Sequence, residues 1–208
     1  GMLAAFNTEK GLEGGIEEAR LMQENGLEAR ILNADGIQEL EPGIRTTAIG
    51  GVYYPQDAHL IPHRYVRELA RDLENRGVSI QPLTEVVGLE TSGRKVTAVK
   101  TTRGDFLAEE IVLAGGSWSP EIARDLKIKL PIQPAKGYSI TVRRPEECPE
   151  TPMMLTGAKI AVTPMADRLR FAGTLEMTGM DLSINQRRVD AMLRAIPDYF
   201  PGLDPGRF

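Results

Sequence analysis

Apolar positions along the first part of the chain recur at helical spacing. In "EKGLEGGIEEARLMQENG", Leu12, Ile16 and Ala19 share one face and Gly26 marks a stop, so the pattern predicts a helix and then a short strand over 29–32. In "NADGIQELEPGI" Asp35 is placed to cap a brief helix that Pro42 ends. "GGVYYP" reads as a strand and "PQDAHLIP" as a loop. The clearest element is a helix over 62–76, with Val66, Leu69, Ala70 and Leu73 on one face, Pro62 in its first turn and Gly77 as its cap. "VSIQPL" then predicts a strand, and "TEVVGLET" and "KVTAVKTT" predict a hairpin around Ser92-Gly93. After the turn "RGDFLAEE", the unbroken apolar run "IVLAGG" has the composition of a buried strand of the parallel kind.

Helix, strand, β-meander, buried strand, Gly-Gly and short helix, in that order, make half of a nucleotide-binding α/β domain. The rest reads differently. From "LPIQPAKGYSITVRR" through "AKIAVTPMADRLRFAGTLEM" the pattern gives long strands and hairpins, with a turn near Ala166-Asp167. A last helix over 185–200 carries Val189, Met192, Leu193, Ile196 and Phe200 on one face. The expected organisation is therefore alternating: 1–58 with 131–208 form a mixed sheet plus helices, and 59–130 form a nucleotide-type insert.

Composition narrows the field. At 208 residues, 41% hydrophobic and 26% charged, the chain can bury a core as one large domain or two small ones. A formal charge of -4 with interspersed Glu and Asp argues against nucleic acid as a partner. Cys148 is the single cysteine, so neither a disulfide framework nor a thiolate metal site can be built, and a reducing, cytoplasmic compartment is expected. No apolar stretch approaches the roughly 18 residues of a membrane span, and no charged-then-apolar leader opens the chain. Peripheral membrane association and homo-oligomerisation stay open.

Candidate chemistry is sparse. In "IVLAGGSWS", glycines at a strand end would let a cofactor approach the main chain without a Cβ in the way, and the next helix would offer unpaired N–H groups. The same residues also suit a tight turn, with Ser119 as N-cap before Pro120. The glycine fingerprint of a dinucleotide domain is absent, because the pairs at 14–15, 50–51 and 115–116 have the wrong spacing, and no Walker sequence occurs. A nicotinamide-dependent reductase therefore lacks its phosphate cradle. His59 and His63 stand four apart, but Pro62 starts a helix between them and leaves His59 in a loop, so no metal site is expected. Lys136-Gly137-Tyr138 interrupts a strand with glycine, which suggests a bulge or close approach. Tyr138 faces either a pocket or, as is commoner, a half-buried sheet. Arg187 and Arg188 read as the outer face of the last helix.

Taken in order, "GGVYYPQDAHLIPHRYVREL", "GVSIQPLTEVVGLE", "IVLAGGSWS", "PIQPAKGYS" and "AKIAVTPMADRLRFAGTLEM" resemble the FAD-dependent D-amino-acid dehydrogenase family, and more distantly glycine and sarcosine oxidases of the same DAO-type superfamily. The resemblance runs through nearly the whole chain. It implies a fold of α/β and α+β type, part of a FAD-binding Rossmann-like domain (59–130) combined with a mixed-sheet substrate domain (1–58 and 131–208). It also implies FAD as cofactor, with Val86 touching the adenine end through its main chain and Ala114, Gly115, Gly116 and Trp118 bordering the cofactor. An amino acid would be the substrate, oxidised to a keto acid and ammonia by hydride transfer to the flavin. Tyr138 and His59 are the substrate-side candidates, and no catalytic acid or base is assigned. Two family features are not found: the N-terminal glycine fingerprint and the "GLRP"-type stretch whose arginine holds the substrate carboxylate. A tyrosine common in relatives near "AKIAV" is also missing, with Gly157 and Ala158 in its neighbourhood. On the resemblance the chain is a central fragment, inactive alone. The alternative is a non-catalytic subunit or binding module that associates with a partner chain.

Overall fold

The computed structural model describes residues 1–208, apart from the side chain of Arg207. In chain order the elements are β1 (Met2–Phe6), α1 (Glu9–Glu24), β2 (Arg30–Asn33), α2 (Ala34–Leu40), β3 (Gly50–Tyr54), α3 (Pro62–Asn75), β4 (Val86–Ser92), β5 (Lys95–Thr101), β6 (Gly104–Phe106) and α4 (Ser119–Ile122). These are followed by β7 (Lys136–Arg143), β8 (Met153–Leu155), β9 (Ile160–Met165), β10 (Arg168–Glu176) and α5 (Gln186–Ala195). The chain divides into two units: Gly1–Ile61 with Lys136–Glu176 and Ser183–Phe208, and Pro62–Ala135 with Met177–Leu182.

The first unit is built on a seven-stranded mixed sheet in the order β2-β3-β1-β8-β9-β10-β7. Its centre is β1, antiparallel to β3 and parallel to β8, with Leu3 opposite Met153 and Ala5 opposite Leu155. Strand alternation sends Leu3 and Ala5 to one face, where they join Leu155, Val162 and Phe171 beneath Ile37, Met192, Ile196 and Phe200. Ala4, Phe6 and Val52 point to the other face and pack with Ala19, Ala29 and Leu12. Local chemistry sets the helix ends. The Thr8 side chain accepts from the Gly11 amide at 3.2 Å to start α1, and Gly26, at φ 79°, follows its last turn. The cap of α2 is Asn33, whose side chain accepts from the Gly36 amide at 2.9 Å. Asp35, expected as the cap, instead lies in the first helical turn, where its charge suits the helix dipole.

Two buried carboxylates fasten this unit. Glu41, 1% exposed, accepts from the main-chain amides of Glu150 at 2.6 Å and Thr151 at 2.9 Å, which holds the segment entering β8. Glu176, 8% exposed, ends β10. It accepts from the Tyr138 hydroxyl at 2.5 Å, from Asn185 Nδ2 at 2.8 Å and from Arg188 Nε at 2.6 Å, with Lys136 Nζ 3.3 Å away. Arg188 also donates to Thr174 Oγ1 at 2.6 Å, so it is drawn inward from α5 rather than lying on its outer face as the charge pattern suggested. The register shift lies between Gly173 and Leu175, opposite Gly137-Tyr138, so the bulge expected near Gly137 forms on the facing strand, with Thr174 at φ 54°.

The second unit holds α3, the antiparallel meander β4-β5-β6 and α4. Its hairpin turns at Gly93, φ 63°, as the pattern predicted. Two expected strands do not form. None of the ten strands pairs with 78–83 or 111–116, and Leu83 and Val112 are 94% and 88% exposed, so "IVLAGG" is not a buried parallel strand. The reason is physical: a strand exists only where a neighbour takes up its amides and carbonyls, and β4–β6 pair with one another and not with these runs. Ser119 is the first helical residue of α4 and not its cap, which is Trp118. Among the described residues of this unit Ala98, Ser119 and Ala123 are buried, and the apolar face of α3 is open to water at Tyr65, Val66 and Leu69.

Truncating Glu41→Ala should lower the stability of the first unit by about 2 kcal/mol, because two inward amides lose their acceptor; a urea denaturation curve measures it. For Glu176, the Tyr138 hydroxyl, opposed by burial and helped by Asn185, Arg188 and Lys136, holds the carboxyl down to about 2. Its folded pKa is thus below the ordinary value of about 4.3, so its contribution is complete above that value and is lost as pH falls towards the folded one. Glu176→Gln should therefore lose less of its urea midpoint than wild type between about pH 6 and about pH 3.

Candidate functional site

The second unit contains a cleft of about 610 Å³. One wall is the start of β4, Glu85 to Gly88, and the other is the turn-rich segment carrying Trp118, Ile122, Arg124 and Asp125. The β4 wall is irregular: Val86 pairs with Thr101 but Gly88 pairs with Lys100, which leaves Val87 as the extra residue of a bulge. A bulge interrupts the ladder and turns main-chain groups away from it. Asp125 locks this geometry by accepting from the Leu89 amide through Oδ2 at 2.9 Å. A Cβ on Gly88 would stand 3.0 Å from that same oxygen, so the close approach depends on glycine.

The cleft brings together two of the sequence-derived residues, Val86 and Trp118, both partly exposed. Ala114, Gly115 and Gly116 lead into Trp118 but are not among the lining residues. Gly116 has φ 55°, in the left-handed region, and the Trp118 amide donates to the Gly115 carbonyl at 3.0 Å, so a tight turn accounts for this pair locally. Tyr138 is buried and its hydroxyl is committed to Glu176 and to the Asn185 amide, 3.2 Å away. His59 is exposed in the loop after β3, and His63 is the second residue of α3. Among the described residues no three His, Cys, Asp or Glu side chains gather as metal ligands. Sequence reasoning missed Val87, Asp125 and Arg124; a glycine inside the apolar run "VVGLE" was the available sign of the bulge.

Chemically, the cleft offers an apolar wall at Val86, an indole face, and main chain exposed at a bulge. These suit a purine, which needs a flat apolar surface and main-chain hydrogen-bonding groups at its edge. They suit phosphate poorly, because Glu85, Glu121 and Asp125 line the cleft, and Arg124 is 3.6 Å from Glu121.

Residues 1–208 match the DAO family, described as FAD dependent oxidoreductase. D-amino acid dehydrogenase of Granulibacter bethesdensis is 34% identical over 206 residues, a match covering 97% of this chain and 49% of that protein. Among solved structures, glycine oxidase from Bacillus cereus superposes with a TM-score of 0.84 at 25% identity, over 97% of this chain and 55% of that one. L-proline dehydrogenase from P. horikoshii shares the fold, with a TM-score of 0.82 at 16% identity, over 97% of this chain and 56% of that one. The chain spans about half the length of the curated relatives it matches. With a mixed sheet, a second antiparallel sheet and a family match over every residue, this chain belongs to the DAO family of FAD-dependent oxidoreductases.

Proposed function

We propose that the chain is part of a D-amino-acid dehydrogenase in which 59–130 contribute to FAD binding and 1–58 with 131–208 form the substrate-side domain. The observation that carries this reading is the joint placement of Val86 and Trp118 on one cleft at a strand bulge. In this reading Val86 meets the adenine through its main chain, Trp118 flanks it, and Ala114, Gly115 and Gly116 border the cofactor further along. When bound, FAD would supply hydride acceptance: the α-hydrogen of the neutral amine would leave as hydride, the resulting substrate would be an iminium ion, and water would convert that to a keto acid and ammonium. The chain's own residues contribute placement and a partly dry wall, and orientation of this kind is a large share of such catalysis. Without a phosphate cradle, the chain alone holds the nucleoside end weakly and does not retain FAD or turn over.

A second reading, a binding module for a partner chain, draws on the open apolar face of α3. Sedimentation separates the two: a monomer that recovers no partner disfavours the module.

Trp118 is the single tryptophan, so its emission reports on the cleft directly. AMP and FAD should both quench it saturably, and Val86→Asp should weaken both by about tenfold, while the purified chain carries no stoichiometric flavin absorption. Emission unchanged by either nucleotide would remove the adenine reading; a full flavin complement would remove the claim that the chain alone does not retain FAD.

A further inference from the structure

In the first unit a cleft of about 560 Å³ lies between α1 and the sheet strands β1, β3 and β8, a volume suited to a small organic molecule. Its walls are apolar, with Ala4, Phe6, Met22 and Met154 among them. Its helix side is bare: Gly11, Gly14 and Gly15 all line it. Gly15 has a packing reason, because a Cβ there would come within 2.3 Å of the Phe6 ring. Gly14 has none. A Cβ at Gly14 would meet nothing within 4 Å, and its φ lies outside the left-handed region. Glycine inside a helix is destabilising relative to alanine, so the open face at Gly14 has no explanation within the packed structure and keeps the cleft wide.

The charged residues that line the cleft are all acidic. Glu18, Glu28 and Asp57 line the cleft, and no lysine or arginine does. Glu28 is paired with Arg30 at 2.7 Å, whereas Glu18 and Asp57 have no ion pair among the described residues. Both line the cleft together with Tyr54, and burial first, then the charges of Glu18 and Asp57, push the pKa of its hydroxyl up. Two carboxylates beside an apolar wall favour a cation with an apolar body and disfavour any anion.

We propose that this cleft binds a free primary amine on a short apolar chain, with the ammonium between Glu18, Asp57 and the Tyr54 hydroxyl and the chain against Ala4, Phe6 and Met154. The site is built within the first unit alone and is independent of the flavin reading. The test is an NMR titration of the 208-residue chain, following the amides of Gly11, Gly14 and Gly15, with hexylamine, hexanol and hexanoate as probes. Hexylamine should shift these amides saturably, hexanol should bind about tenfold more weakly, and hexanoate should leave them unmoved. Gly14→Leu should fill the cleft and abolish the response, and Glu18→Gln combined with Asp57→Asn should reduce hexylamine binding to the level of hexanol. Shifts that fail to saturate, equal binding of hexanol and hexylamine, or wild-type affinity in either variant would overturn the proposal.

Discussion

The parallel ladder between β1 and β8 is the constraint on which the first unit depends. Leu3 donates to the Pro152 carbonyl at 2.9 Å, and Thr156 closes the other end on the Ala5 carbonyl from 151 positions away. This pairing joins an antiparallel three-strand piece to an antiparallel four-strand piece and makes one sheet of them. Once joined, the sheet has two apolar faces, and each must be covered. Leu3 and Ala5 require α2 and α5 above them, and Phe6 requires a helix that can come close, which the glycines of α1 allow.

Glu41 and Glu176 show how such a sheet tolerates charge in its interior. Each is a carboxylate with donors around it, and these tie separate segments together: the main chain entering β8 for Glu41, and β7, through Tyr138 and Lys136, with the start of α5, through Asn185 and Arg188, for Glu176. A buried carboxylate is costly unless its oxygens are filled, so these contacts specify where the segments lie as well as attaching them. The left-handed Thr174 is accommodated for the same reason, since Arg188 grips its hydroxyl from α5.

Elements whose signals are local were legible in the sequence. The helices around Leu12–Ala19 and Val66–Leu73 and the hairpin at Ser92-Gly93 carry their periodicity and turn residues within a few positions. β1 and β8 were not legible, because "MLAAF" and "MML" are short and their role is set by a partner far along the chain. The errors at 78–83 and 111–116 have the opposite cause: an apolar run states that a strand needs neighbours, and it cannot supply them. Val86 and Trp118 were reached through family resemblance, and the structure places them on one cleft. Asp125 was not reached, since a single carboxylate in "ARDL" gives no sign that it will hold the Leu89 amide.

The second unit has a thin interior, with Ala98 and Ala123 as the buried apolar side chains among its described residues. Local opening free energy tracks buried apolar contact, so the meander and α3 open to solvent long before the seven-stranded sheet does. Amide protons there exchange with deuterium early, and a protease finds its first cut between Pro62 and Ala135 rather than in the strands on either side of β1.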